Sequence, residues 1–156
     1  MVQTSHILLL DADLYALRTE DILALLAPVQ DQHSSITMAF IKNARPLFPF
    51  KQIDYCSGQR VLPLSLFKGQ LTKLASLPSY GLEVFINRLM ISAKTSLNIV
   101  HRPQVENTFH HSKAGRRKGR KKNLTIRRHI IQIAGGFLAI YKMNFDLQKL
   151  LLPPQK

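Results

Sequence analysis

Residues 7–14 read ILLLDADL, an apolar run that ends abruptly at Asp11 and Asp13. Such a short run with a polar end is typical of a buried strand in a parallel sheet. Ligands of open α/β sheets bind beyond the carboxyl ends of strands. Paired carboxylates there can hold a hard divalent cation, and the cation can hold a diphosphate. A solvated turn is the alternative interpretation of so short a pattern.

The sequence that follows predicts a helix and then a second strand. Residues 19–28 read TEDILALLAP, with Thr19 as a plausible N-cap and two acids that suit the positive end of a helix dipole. Residues 35–41, SITMAFI, have the composition of a strand. A strand, a helix and a strand within about 35 residues form a βαβ rhythm, which predicts an α/β fold with a mostly parallel sheet and flanking helices.

Two further helices are predicted in the second half of the chain. Residues 79–93 place apolar side chains at helical spacing, and Glu83 and Asn87, four residues apart, share one side of that helix. Residues 97–100 are a short strand candidate. From residue 126 a helical pattern resumes, broken near Gly135 and stopped by two prolines, and it predicts a C-terminal helix.

Composition excludes several classes of protein. The chain has 156 residues and 46% hydrophobic residues, which suffices for a core and argues against global disorder. Its single cysteine, Cys56, cannot form an internal disulfide, so a disulfide-stapled secreted scaffold is excluded and the reducing cytoplasm is favoured. Cys56 itself fits a small buried hydrophobe better than a nucleophile. No run reaches the roughly 18 apolar residues that span a bilayer.

The net charge of +13 is concentrated in one segment. Seven Lys and Arg residues lie within residues 113–122, and without them the net charge is about +6 (13 − 7). This segment has four interpretations: a loop that closes over a phosphate, a contact with anionic lipid, non-specific binding of nucleic acid, or a solvated loop without a partner. No aromatic residue is interleaved within it, so stacking on single-stranded bases is not supported.

Residues 6–90 resemble the GT-A glycosyltransferases, in particular the bacterial family 2 group that includes polyprenyl-phosphate sugar transferases. The order and spacing of the similar pieces are more specific than any one piece. They are ILLLDADL (residues 7–14), LRTEDILALLAPV (17–29), SSITMAFIKN (34–43), YCSGQRVLPLSLF (55–67) and SYGLEVFIN (79–87). The resemblance implies a partial GT-A, Rossmann-like domain with hexosyltransferase activity.

The resemblance also implies roles for individual residues. Asp11 and Asp13 would bind Mg²⁺ or Mn²⁺ and, through it, the diphosphate of a nucleotide sugar. Gln59 and Arg60 would line the acceptor side, where the Arg60 guanidinium suits a phosphate or carboxylate. Glu83 is the best remaining carboxylate for a general base or an acceptor hydrogen bond. A surface ion pair is the alternative for Arg60, and a helix-surface charge or a supporting hydrogen bond is the alternative for Glu83.

A late histidine supplies a third metal ligand in some GT-A enzymes. His110 and His111 precede the basic segment, and the resemblance allows either to take that role. Adjacent side chains point in different directions in most backbones, so at most one of them is expected to bind a metal. Solvated loop residues are the alternative interpretation.

The chain departs from the family at its start, because the family's nucleotide-binding half precedes the D-x-D motif and only ten residues precede Asp11 here. We therefore expect a GT-A-like C-terminal portion over residues 1–105, a basic loop over 106–125 and a C-terminal helical segment over 126–156. A strand without its parallel partners would leave an open apolar edge, which predicts weak stability or association with a chain that supplies the missing half.

The expected partners are a nucleotide-sugar donor and an unidentified acceptor. A lipid-linked acceptor would place the protein peripherally at the inner face of the membrane. The rival hypothesis is a non-enzymatic nucleic-acid-binding protein that uses residues 113–128, including Arg127 and Arg128. That rival explains the charge but not the D-x-D strand. An inert remnant of a transferase is the third interpretation.

Overall fold

The computed structural model describes residues 4–42, 44, 53–55, 57–78, 81–102, 104–107, 128 and 131–151. The strands are β1 (His6–Leu9), β2 (Leu14–Tyr15), β3 (Ile36–Ile41), β4 (Arg60–Pro63), β5 (Leu97–Arg102) and β6 (Glu106–Asn107). The helices are α1 (Thr19–Gln30), α2 (Leu71–Ala75), α3 (Gly81–Ala93) and α4 (Phe137–Gln148), and a 3₁₀ turn covers Leu64–Phe67. The α/β class is thus confirmed.

The main sheet is mixed, so the expectation of a mostly parallel sheet is wrong. Its strand order is β1-β4-β3-β5, with β4 antiparallel to both neighbours and β3 parallel to β5. Since β1 and β3 both oppose β4, these two strands and β5 point in one direction. The apolar run of β1 indicated that both faces of the strand are covered by other residues. Burial of the two faces does not determine whether the neighbouring strand is parallel or antiparallel.

Side chains alternate between two cores, one on each face of the sheet. Ile7 and Leu9 pack into one core and Leu8 into the other, and Met38 and Ala39 divide in the same way. Residues of α1 join the core that contains Leu8, whereas residues of α3 and α4 join the core that contains Ile7 and Leu9. The sheet therefore lies between helical layers, and β1, an edge strand whose four residues are half-buried, contributes side chains to both cores.

The start of α1 differs by one residue from the expectation. The helix begins at Thr19, and Arg18 rather than Thr19 occupies the N-cap position. The carboxylate of Asp21 accepts a hydrogen bond from the Arg18 backbone N–H at 2.9 Å, in the manner of a capping box. Asp21 is buried, and it also accepts from the Gln104 amide and lies 3.4 Å from Arg102 Nε, which ties α1 to the end of β5.

The predicted helices in the second half are confirmed as α3 and α4. Ile140, Met143 and Leu147 on α4 are buried in the core that also holds residues of α3, so the C-terminal segment and the sheet share one core. Within the part of the chain that the structure describes, no helix has both the length and the apolar character to cross a membrane.

Candidate functional site

The carboxyl end of β1 and the start of β4 meet at one edge of the sheet. Leu9 is opposite Arg60 in the antiparallel register, so the residues just beyond β1 lie beside those just before β4. There, Gln59 Nε2 donates to Asp11 Oδ2 at 2.6 Å. Gln59 is buried, while Asp11 is exposed. The amide therefore fixes one carboxylate oxygen and leaves the group open to solvent.

Ser57 contacts the Gln59 amide. Its hydroxyl lies 3.0 Å from the carbonyl oxygen of Ala39 and 3.2 Å from Gln59 Oε1. The Asp11 carboxylate can only accept, so it requires the amide nitrogen on its side and leaves Oε1 facing the Ser57 hydroxyl. This support was not predicted, because 48 residues separate Asp11 from Gln59 and no sequence pattern joins them.

Gly58 allows the Asp11 carboxylate to lie against the backbone. A Cβ atom built at Gly58 would overlap Oδ1 of Asp11 and would lie only 2.8 Å from its Cγ. Any side chain at this position would thus displace the carboxylate. The glycine was part of the Gly-Gln-Arg segment in the sequence, but only the fold shows what it accommodates.

Asp13 is half-buried and directly precedes β2. The strand β2 pairs antiparallel with β6, and Leu14 is opposite Asn107. The last residue of β6 is therefore paired with the residue that follows Asp13, and the chain leaves β6 beside the D-x-D motif. His110 comes three residues after Asn107 and lies outside the described residues.

Arg60 is only 1% exposed, and its guanidinium donates to several protein acceptors. Nε donates to the carbonyl oxygen of Ser57 at 2.6 Å, Nη1 to Asn87 Oδ1 at 2.7 Å and Nη2 to the carbonyl oxygen of Tyr55 at 3.3 Å. The Asn87 amide donates to that same Tyr55 carbonyl at 3.0 Å. Arg60 thus joins the start of β4 to α3, and Asn87, which the sequence suggested was an ordinary polar residue of the helix, accepts a hydrogen bond from its guanidinium.

Glu83 lies in the first turn of α3 and is half-buried. Its Oε2 atom is buried and has no hydrogen-bond partner among the described residues. A buried acceptor without a donor is costly, and native proteins satisfy most such atoms. An unsatisfied carboxylate oxygen beside a cavity is a candidate for contact with a ligand's hydroxyl group.

A cavity of about 140 Å³ connects these groups. Its polar lining includes Asp11, Arg60 and Glu83, together with Ser57 and Gly58. Its apolar lining is Leu9, Leu10, Leu82 and Ile86. Ligand pockets commonly measure ~300–1,000 Å³, so this cavity can hold one group of a larger ligand.

The structure thus brings three of the predicted site residues, Asp11, Arg60 and Glu83, to one cavity, and Gln59 contacts the first of them. The described residues include no group of three or more His, Cys, Asp or Glu side chains that could hold a metal. The protein ligands available there to a cation at the D-x-D motif are carboxylates. Mg²⁺ commonly binds through one or two carboxylates and completes its shell with water and substrate phosphates, so this donor set fits.

Comparisons of the chain with protein-family models, with curated protein sequences and with solved structures found no match.

Proposed function

We propose that the protein is a metal-dependent glycosyltransferase that moves a hexosyl group from a nucleotide sugar to an acceptor. One observation carries the proposal. Asp11, Arg60 and Glu83 come from three separate segments, and all three line one cavity at the edge where ligands of α/β sheets bind. These are the residues to which the GT-A resemblance assigns donor-metal, acceptor and base roles.

On the donor side, Asp11 and Asp13 would hold Mg²⁺ or Mn²⁺. A bound cation would neutralise the charge that develops on the departing nucleoside diphosphate. Gln59 and Gly58 keep the Asp11 carboxylate in place, one by a hydrogen bond and the other by leaving room. This support reduces the conformational entropy that Asp11 would otherwise lose on binding the cation.

On the acceptor side, Glu83 would accept the proton of the attacking hydroxyl. Its unsatisfied Oε2 supports this role, because an acceptor hydroxyl would supply the missing donor. Arg60 keeps its neighbours in place and adds positive charge to the cavity wall. A phosphorylated or lipid-linked acceptor is compatible with that charge, and a lipid-linked acceptor requires peripheral contact with a membrane.

Calorimetric titration tests the donor site directly. The chain is titrated with a panel of nucleoside diphosphates, with and without Mn²⁺. We expect binding that requires the metal and weakens at least about tenfold in Asp11→Asn, because a formal charge on the ligand set is lost. The matched control is Asp31→Asn, which alters an exposed carboxylate at the far end of α1. Metal-independent binding, or equal losses in both variants, would contradict the proposal.

His110 provides a second test of the same site. Asn107 is opposite Leu14, the residue after Asp13, and His110 follows Asn107 by three residues in the sequence. We expect His110→Ala to weaken Mn²⁺-dependent nucleotide binding about tenfold, since an imidazole ligand is lost. His33→Ala is the control, because His33 is exposed just after α1. Equal affinities for the two variants would remove His110 from the proposed ligand set.

Nucleic-acid binding is the second candidate, and the concentration of positive charge in residues 113–122 favours it. Such binding would be non-specific and steeply dependent on salt. Duplex DNA binding that is lost when the basic residues of 113–122 become Gln, together with no metal-dependent nucleotide binding by the folded wild-type chain, would favour this candidate over the transferase.

A further inference from the structure

The outer face of α4 exposes large apolar side chains. Leu138 is 80% exposed and Phe145 is 50% exposed, with Tyr141 beside them at 40%. At 100° per residue, Leu138 and Phe145 lie only about 20° apart and nearly opposite Leu147, which is fully buried. The helix is therefore apolar on the side that packs into the core and also along the centre of its outer face.

Two lysines extend this outer face. Lys142 and Lys149 fall within about 40° of the Leu138 direction, and both are exposed. Lys149 Nζ lies 4.3 Å from the centroid of the Phe145 ring and 3.0 Å from Asp146 Oδ1. Apolar and aromatic side chains flanked by lysines are the composition of helices that lie in a membrane interface.

The net charge of the chain indicates which kind of partner surface the outer face of α4 would bind. The net charge is +13, and Arg128, which is exposed, precedes α4 by only nine residues. A cationic protein with an apolar helix face is attracted to anionic lipid, and the same charge opposes association between two copies. We propose that the outer face of α4, formed by Leu138, Tyr141, Lys142, Phe145 and Lys149, docks on an anionic lipid surface.

This proposal goes beyond glycosyl transfer and does not depend on it, because its test contains no donor, metal or acceptor. The chain has no tryptophan, so a single introduced tryptophan reports on one position. Phe145→Trp places the reporter on the proposed face. Leu23→Trp is the matched control, because Leu23 is 55% exposed on α1, the helix that covers the opposite face of the sheet.

The probe is vesicles of phosphatidylcholine with or without phosphatidylglycerol. With phosphatidylglycerol present, we expect the emission of Phe145→Trp to shift to the blue and to be quenched by brominated lipid, while that of Leu23→Trp stays unchanged. In sedimentation with the same vesicles, we expect Leu138→Ser combined with Phe145→Ser to weaken binding about tenfold or more, and Leu23→Ser to leave it unchanged.

Three results would overturn the proposal. The first is no binding to anionic vesicles. The second is binding that the two serine substitutions on α4 do not weaken, which would mean attraction by charge alone. The third is a dimer in sedimentation analysis without lipid, dissociated by the α4 substitutions, which would make a second copy the occupant of this face.

Discussion

Two neighbouring residues at the start of β4, Gln59 just before the strand and Arg60 its first residue, belong to different networks. Gln59 belongs to the Asp11 network, formed by Ser57, Gly58, Gln59 and Asp11, which ends at an exposed carboxylate. Arg60 belongs to the Arg60 network, formed by Arg60, Asn87 and the carbonyls of Tyr55 and Ser57, which is enclosed between β4 and α3. Both Gln59 and Arg60 are almost fully buried, so burial alone does not distinguish them.

The difference between the networks lies in where each one ends. The Arg60 network joins buried acceptors, so removing one member leaves others unsatisfied in a dry environment. The Asp11 network ends at a group that water can solvate, so its disruption costs little stability. We therefore expect the Arg60 network to determine stability and the Asp11 network to determine binding, and two substitutions, Arg60→Ala and Gly58→Ala, test that division.

The largest effect on stability is expected from Arg60→Ala. It removes the donors to Asn87 Oδ1 and to the carbonyls of Ser57 and Tyr55, and it opens a cavity. Unsatisfied buried polar groups and the cavity together should lower the free energy of unfolding by about 3 kcal/mol or more. Urea denaturation measures this change.

Arg88→Ala is the matched control for Arg60→Ala. Arg88 is an exposed arginine of α3 whose side chain donates to the carbonyl of Ala134 at 3.2 Å. We expect its loss to cost less than about 1 kcal/mol. If the two variants had equal free energies of unfolding, the Arg60 network would not determine stability. The proposed division between the two networks would then be wrong.

Gly58→Ala should have the opposite result, with a large effect on binding and a small effect on stability. The new methyl group would displace the Asp11 carboxylate, which is the end of a flexible side chain, and Gly58 has no positive φ that alanine would strain. We expect the free energy of unfolding to stay within about 1 kcal/mol of the wild type. Mn²⁺-dependent nucleotide binding should weaken about tenfold or more, because the carboxylate and its bond to Gln59 are both disturbed.

Gly81→Ala is a control of similar size at the start of α3, where a new Cβ would meet the Pro78 ring at 3.1 Å rather than a carboxylate. We expect it to leave nucleotide binding unchanged. Titration calorimetry measures the affinity of each variant for the nucleotide. If Gly58→Ala bound with the affinity of the wild type, the Asp11 network would have no part in the donor site.

Local patterns in the sequence predicted β1, β3, β5 and the helices α1, α3 and α4, but not β2, β4, β6 or α2. Contacts between distant residues could not be predicted. The apolar run at Ile7 and the helical spacing around Glu83 identified β1 and α3, because each pattern lies within a few residues. The direction of β4 depends on how a distant segment returns to the sheet, and no local pattern encodes it. For the same reason, Arg60 was predicted to line the site, while its bond to Asn87 emerged only from the fold.

Glu83→Gln is expected to have a much smaller effect on stability than Arg60→Ala, and the sign of the effect is informative. Loss of the carboxylate from the first turn of α3 removes a favourable interaction with the helix dipole, worth about 0.3–1 kcal/mol. It also replaces a buried charged oxygen without a partner among the described residues by a neutral amide, and a neutral group costs less to bury than a charged one. We expect the second effect to be the larger one, so the free energy of unfolding should rise, by less than about 1 kcal/mol.

The functional consequence of Glu83→Gln separates the acceptor side of the cavity from the donor side. Metal-dependent nucleotide binding should be unchanged, because the substitution leaves Asp11 and its support intact. Turnover of the nucleotide sugar should fall about 10²-fold or more if Glu83 accepts the proton of the attacking hydroxyl. A variant less stable than the wild type, with turnover unchanged, would show that Glu83 is a helix-capping charge, and its unsatisfied oxygen would then have no catalytic meaning.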